Sequence, residues 1–238
     1  MTRDQASDPA VGAVELYRFY RAGDEETLAL RGVSISIGAG EMVAVAGPSG
    51  SGKSTLLACL AGLDEPDGGT VRVAGTRLSH RPEAERAAVR ARHVGVLFQS
   101  ANLFEHLSVR ANVALAQRLV GPVDRARVDG LLETLGIAAR AAARPSELSG
   151  GEAVRAGLAV ALANDPVVLL ADEPTGELDG ASEAMVLRRL RDQADRGTAV
   201  LVASHSPAVA RHADRRLFLH DGRLAAATPT PAADGVPQ

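Results

Sequence analysis

Gly47-Pro48-Ser49-Gly50-Ser51-Gly52-Lys53-Ser54 is the segment that most restricts what this chain can become. It is a complete G-x-x-x-x-G-K-[ST] loop, and Lys53 is the only lysine, every other residue among the 26 Lys plus Arg being arginine. Phosphates wrapped in a tight loop leave room for a slim ammonium and not for a planar guanidinium fork. The apolar run Glu41 to Ala46 reads as a strand entering the loop, and Ser54 to Ala61 as a helix leaving it. In a strand–loop–helix unit the glycines let backbone N–H groups turn inward, and the helix N-terminus adds partial positive charge. Gly47, Pro48, Ser49, Gly50, Ser51, Gly52, Lys53, Ser54 and Thr55 are therefore expected to bind nucleotide phosphates, with the Ser54 hydroxyl facing Mg²⁺. A plain Gly/Ser turn would require neither the lysine nor that hydroxyl.

At 238 residues and 46% apolar content the chain can build one large or two small domains. A net charge of −3 with both signs interspersed gives no reason to propose a nucleic-acid partner. The single cysteine, Cys59, reads as a small core residue in a reducing compartment. Met1 to Gln5 is polar and lacks the apolar core of a signal peptide. The most apolar stretch, Gly157 to Ala171, is broken by Asn164-Asp165-Pro166 and falls short of the roughly 20 residues that span a bilayer. The expectation is a soluble, cytoplasmic protein that reaches a membrane only by binding something already there.

Residues 1–10 and the Ala/Pro/Thr-rich tail 226–238 are expected to be disordered, leaving one domain over 11–225. Strands are predicted at Val14–Tyr20, Val33–Ile37, Met42–Ala46, Val71–Val73, Val94–Phe98, Val167–Ala171, Ala199–Ala203 and Arg216–Leu219. Helices are predicted near 53–62, 82–91, 108–119, 124–136, 152–163, 181–195 and 206–212. The alternation implies an α/β core. Only residues 99–164 lack clear strands, which suggests an inserted helical subdomain.

Val167-Val168-Leu169-Leu170-Ala171-Asp172-Glu173 is an apolar run ending in two acids, the pattern of a buried parallel strand delivering carboxylates to its carboxyl end. Asp172 is placed to hold Mg²⁺ and Glu173 to polarise an attacking water, although an Asp-Glu pair after a strand also suits a helix N-cap. Leu148-Ser149-Gly150-Gly151-Glu152 has two readings as well. Ser149 and Glu152 have capping-box spacing, and a serine with two glycines at a helix start also presents donors to an anion.

Taken in order, the phosphate loop, Gln99 in Leu97-Phe98-Gln99, Leu-Ser-Gly-Gly-Glu, Val-Val-Leu-Leu-Ala-Asp-Glu-Pro, Gly176-Glu177-Leu178-Asp179 and His205 in Ala203-Ser204-His205 resemble the nucleotide-binding subunits of ATP-binding cassette (ABC) transporters. They match Walker A, Q-loop, signature, Walker B, D-loop and H-loop across about residues 13–225. The resemblance implies a P-loop NTPase with a RecA-like, mainly parallel core, an N-terminal antiparallel β subdomain and a helical signature subdomain. It implies ATP and Mg²⁺ as cofactors, with Ser54, Gln99 and Asp172 as metal contacts and Glu173, His205 and Gln99 as catalytic residues. Tyr20 matches the aromatic that stacks on adenine, with Tyr17 a rival on the opposite face of the strand. Ser149, Gly150, Gly151 and Glu152 would meet ATP bound to a second copy, and Asp179 would be the D-loop residue. The implied partners are a transmembrane permease and a second nucleotide-binding subunit, identical or not, at the cytoplasmic face of the membrane.

A narrower likeness joins Arg144 to Glu152, Gly62-Leu63-Asp64-x-Pro66 and Asp172 to Asp179 to the lipoprotein-release, macrolide-export and cell-division group. That group leaves two functions open, export coupled to hydrolysis and a mechanical or regulatory module that moves no solute. One departure is that Ala153 to Ala161 keeps only Arg155 where the family runs through a polar Gln-Arg segment, and Gly157 costs that helix about 1 kcal/mol relative to alanine. A guanine-nucleotide switch is set aside, since its Asn-Lys-x-Asp motif would need a second lysine.

Overall fold

The computed structural model describes residues 8–22, 25–99, 102–176 and 178–225. Residues 1–7 and 226–238, expected to be disordered, lie outside the described residues, as does Glu177 of the D-loop segment. The elements in order are β1 (Val11–Ala22), β2 (Glu25–Ile37), β3 (Met42–Ala46), α1 (Lys53–Leu60), β4 (Gly68–Val73), β5 (Thr76–Arg77), α2 (Glu83–His93), β6 (Val94–Leu97), α3 (Val109–Arg118), α4 (Arg125–Thr134), α5 (Gly150–Ala161), β7 (Val168–Asp172), α6 (Gly180–Asp195), β8 (Ala199–Ala203), α7 (Pro207–His212), β9 (Arg215–His220) and β10 (Arg223–Ala225). Between β6 and β7 the described residues hold only helices and turns.

Two sheets result. β2-β1-β4-β5 is antiparallel, and β10-β9-β3-β8-β7-β6 is parallel except for its edge pair β9 and β10. Strict alternation along the central strands divides the interior in two. Val43 and Val45 of β3, Val168 and Leu170 of β7, and Ala199, Leu201 and Ala203 of β8 face a core shared with β1, β2, β4 and α1. Their neighbours Met42, Ala44, Leu169, Ala171, Val200 and Val202 face a second core built with α3, α4, α5, α6 and α7. Burial on both faces explains why these strands read as continuous apolar runs. The fold is an α/β P-loop NTPase in which the antiparallel subdomain and α1 cover one face of the parallel sheet and α3 to α7 the other. Cys59 belongs to the first core, and burial pushes its thiol up to about 12.

Several boundaries differ from the sequence reading. The predicted strands Val14–Tyr20 and Val33–Ile37 are parts of one long hairpin, β1–β2. Register shifts near Ala13, Leu16 and Arg18 break its period of two, and Glu15 sits at a φ of 52° where the first shift occurs. β5 and β10, at two and three residues, are too short to carry a periodic signal. The helix predicted at 152–163 starts at Gly150. The reason is that the capping box puts the N-cap at Ser149, and the helix begins at the residue after its cap.

Buried polar side chains tie the helical subdomain together. Asn112 donates to the carbonyls of Phe104, Leu107 and Ser108 and accepts from Phe104 N. Gln117 donates to Ala163 O and accepts from Asp124 N. Among the described residues no helix is long and apolar enough to cross a membrane.

Candidate functional site

Parallel strands put their carboxyl ends on one side of a sheet, and that edge is where ligands bind in open α/β folds. Here β3 and β7 end at a cavity of about 720 Å³ that collects Gly47, Pro48, Ser49, Gly50, Gly52, Lys53, Ser54 and Thr55 with Tyr20, Gln99, Asp172, Glu173 and His205. Thr27 and Ala29 of β2 complete one wall. Of the predicted loop residues only Ser51 does not line the cavity. It is buried, its Oγ has no hydrogen-bond partner among the described residues, and its carbonyl accepts from Gly222 N.

The loop is shaped by where its backbone is pressed. A Cβ on Gly47 would stand 2.1 Å from Leu219 O, and one on Gly52 would stand 2.4 Å from Ala29 O. Gly52 is also at φ 104° and ψ 9°, a left-handed conformation that residues with a side chain rarely adopt. Gly52→Ala is therefore expected to cost about 2 kcal/mol or more, lowering the melting midpoint by about 4–8 °C; a midpoint within a degree of the parent's would contradict this reading.

Gly52 is at once the N-cap of α1, and it offers no side chain to the first N–H groups of that helix. Ser108, Asp124, Ser149, Asp179 and Ser206 do cap α3, α4, α5, α6 and α7. α1 has no acid in its first turn either, so its donors and positive dipole end face the cavity with no side-chain cap among the described residues. The Lys53 ammonium spans the loop, donating to Gly47 O at 2.9 Å and Pro48 O at 3.0 Å.

Opposite the loop stands Glu173, directly after β7 in a left-handed conformation at φ 45°, with its N–H donated to Ala203 O at 2.8 Å. Such a backbone costs a non-glycine residue about 1–3 kcal/mol and persists only where the surroundings dictate it. Its carboxylate accepts from Ser204 Oγ at 2.9 Å and meets His205 Nδ1 at 3.0 Å. The Glu173 side chain is only 16% exposed and the His205 side chain 76%, so the carboxylate is fixed while the imidazole can turn. Ser204 is buried and accepts from Ser206 N, and Ser206 Oγ in turn donates to Glu183, which also accepts from Thr175 Oγ1.

Tyr20 lines the cavity with its hydroxyl donated to Asp64 Oδ2 at 2.6 Å. Tyr17 does not line it and packs over Gly32 and Gly68. The other expected site residues stand apart. Ser149, Gly150, Gly151 and Glu152 form the capped start of α5, where Ser149 N donates to Glu152 Oε2 at 2.8 Å and Arg140 Nε pairs with Glu152 Oε1 at 3.1 Å. Asp179 caps α6 through Ala181 N and Ser182 N, and those hydrogen bonds, Ser182 foremost, hold its carboxyl below the usual range. Although Gly176, three residues before Asp179, lines the cavity of its own chain, Ser149 to Glu152 and Asp179 do not. They are neighbours of each other, since a Cβ on Gly151 would lie 3.0 Å from Ser182 Oγ.

A family model for the ABC transporter matches residues 30–176, more than half of the chain. The protein belongs to the ABC transporter family. This ABC cassette is 41% identical over 232 residues to the macrolide export ATP-binding/permease protein MacB of Burkholderia thailandensis, covering 96% of the chain and 36% of that relative. It is 43% identical over 211 residues to MacB of Salmonella typhimurium, covering 87% of the chain and 32% of the relative. The chain thus spans about a third of the length of the curated relatives it matches. Among solved structures it superposes with a TM-score of 0.87 and 32% identity on the dimeric ATP-binding cassette MJ0796 in a post-hydrolysis state bound to ADP and Pi, covering 92% of this chain and 98% of that one. The ABC cassette described here is an ATPase of that type.

Sequence reading of the cassette missed four contributors. Thr27 and Ala29 lie in the part of β2 before Val33, where no strand was predicted, and nothing in the sequence joins them to the loop. Ser204 was visible beside His205, but its bond to Glu173 spans 31 positions. Asp64 was read only as part of a subfamily match, and its bond to Tyr20 spans 44.

Proposed function

We propose that this cassette binds Mg–ATP in the cavity, that a second cassette closes over the nucleotide, and that hydrolysis drives an export-type membrane permease from the cytoplasmic face. One observation carries the reading: Lys53, Glu173 and His205 converge on a single cavity while the capped start of α5 stands outside it in the same chain. A site complete in its phosphate and base-catalysis parts, with a second anion-binding helix end pointing elsewhere, is half of a shared site.

The roles follow from the chemistry of the groups. Lys53 and the uncapped N–H groups of α1 bind the phosphates. Ser54, Gln99 and Asp172 would hold Mg²⁺. They offer only oxygen donors, and among the described residues no cluster of three His, Cys, Asp or Glu forms a closed metal site. Such a set suits a small hard cation that keeps waters and phosphate oxygens in its shell. Bound there, Mg²⁺ would neutralise charge on the β- and γ-phosphates. Glu173 takes the proton as the oxygen of a water attacks the γ-phosphorus, the bond to the ADP oxygen breaks, and ADP and phosphate result. His205 turns from Glu173 toward the γ-phosphate. Tyr20 stacks on the base, and Ser149, Gly150 and Gly151 of the second copy, held by Glu152 and the Asp179 turn, cover the γ-phosphate.

The permease partner and the direction of transport are supported by the MacB relatives, which are macrolide export ATP-binding/permease proteins. Dimerisation is supported by the dimeric solved cassette. The test is sedimentation of Glu173→Gln protein with and without Mg–ATP. A shift from monomer to dimer on adding nucleotide is expected, and protein that stays monomeric both alone and with a permease of this type overturns the shared site.

A further inference from the structure

We propose that Arg18 and Asp64 are positioning residues that hold the Tyr20 ring as a one-sided platform for the nucleotide base, in fixed register with the phosphate loop. The inference rests on the reading of Tyr20 as the base contact and extends it to residues outside the cavity lining.

Arg18 and Tyr20 lie two apart on β1, across the register shift that follows Arg18, and their side chains meet. The Arg18 guanidinium carbon stands 4.7 Å from the Tyr20 ring centroid, which covers one π-face with a cation. The ring is held by its hydroxyl as well, which donates to Asp64 Oδ2 at 2.6 Å. Asp64 in turn takes the guanidinium in a two-point fork, from Nε at 2.9 Å and Nη2 at 2.7 Å. Arg18 Nη1 reaches Asp67 at 3.0 Å, and Asp67 also accepts from Phe19 N at 2.8 Å. A bidentate arginine fork fixes orientation as well as distance, which a single charge contact would not do.

The second part is the anchor of the clamp. Leu63 N and Asp64 N both donate to Ala58 O in α1, and Asp67 N donates to Tyr17 O. α1 begins at Lys53. The carboxylate that holds the ring and the ammonium that meets the phosphates therefore hang on one eight-residue helix. The spacing between base platform and phosphate loop is set before any ligand arrives, and ordering the ring costs nothing on binding. The charged forms persist at neutral pH. Burial would push the Asp64 carboxyl up, but hydrogen bonds from Arg18 and Tyr20 outweigh it and hold it below the usual range. Asp64 raises Arg18 in return.

Only the face of Tyr20 turned away from Arg18 is open to a base. The clamp should thus matter for nucleotides and be indifferent to bare phosphate chains. The test compares dissociation constants of the full chain for Mg–ATP and for inorganic tripolyphosphate by calorimetry, with melting curves to check folding. Stacking of a base on an aromatic is worth enough that Tyr20→Ala should weaken ATP about tenfold or more. Arg18→Ala and Asp64→Asn should each weaken it about three- to tenfold, with tripolyphosphate within about twofold of the parent throughout. Adding Arg18→Ala to Tyr20→Ala should cause no further loss, because the residue acts through the ring.

Should Arg18→Ala not fold, Arg18→Lys keeps the charge, loses the fork, and is expected to fall between parent and Asp64→Asn. The inference is overturned if the clamp variants leave ATP affinity unchanged while Tyr20→Ala weakens it, if they weaken tripolyphosphate equally, or if their effect persists without the ring. A Tyr20→Ala protein that binds both ligands as the parent does removes the base contact itself, a separate failure that the single variant reveals.

Discussion

Glu173→Gln is expected to keep ATP binding and lose about 10²–10⁴ in turnover, the size of a general-base contribution. The amide is nearly isosteric and its oxygen can still accept the Ser204 hydroxyl that now donates at 2.9 Å. What it cannot do is take a proton from water. The left-handed backbone at φ 45° and the bond from Glu173 N to Ala203 O involve no side-chain atoms, so the cavity wall is retained. The phosphate loop lies across the cavity and is untouched. Single-turnover hydrolysis and equilibrium binding on the same preparation separate the two quantities. Equal hydrolysis rates for variant and parent would remove Glu173 from the chemistry, whatever its proximity to His205.

The second large effect is at the other wall. Lys53→Ala removes an ammonium whose hydrogen bonds to charged oxygens are worth about 1.5–3 kcal/mol each, so Mg–ATP affinity should fall about 10- to 150-fold for one lost contact. The fold should survive, because the ammonium's partners in this structure are the Gly47 and Pro48 carbonyls at the open mouth of the loop, where water can replace it. A melting midpoint close to the parent's, with ATP binding weakened by that factor, is the expected pair of results. Lys53→Arg should not rescue binding, since the loop backbone is wedged against Leu219 and Ala29 and cannot widen for a planar fork. Intact Mg–ATP binding by Lys53→Ala would sink the assignment of this cavity.

How much of this was legible beforehand depends on whether the signal was local. The phosphate loop, the strand ending in Asp172 and Glu173, and the capping box at Ser149 each lie within a few consecutive residues, where geometry follows from spacing. The central strands were legible because both of their faces are buried and the apolar run is unbroken. The β1–β2 hairpin was only half legible, since register shifts interrupt the period-two pattern that reveals a strand. The side-chain ties that fix the site were not legible at all. Arg18 to Asp64 and Glu173 to Ser204 join segments 46 and 31 positions apart, and no spacing rule connects an arginine on one strand to a carboxylate after a helix. Absence of the α5 start from its own chain's cavity is likewise a fact of topology, for the motif reads the same whichever copy it serves.

The twisted backbone at position 173 has a consequence for the history of such a chain. Glycine or asparagine accepts that conformation with less strain than glutamate, so any search that rewards heat resistance alone will be drawn to replace the residue. On the general-base role proposed for it, a demand for turnover is what keeps the acid there. Robustness and activity pull on one codon in opposite directions, and a laboratory lineage relieved of its nucleotide duty should drift at this place early.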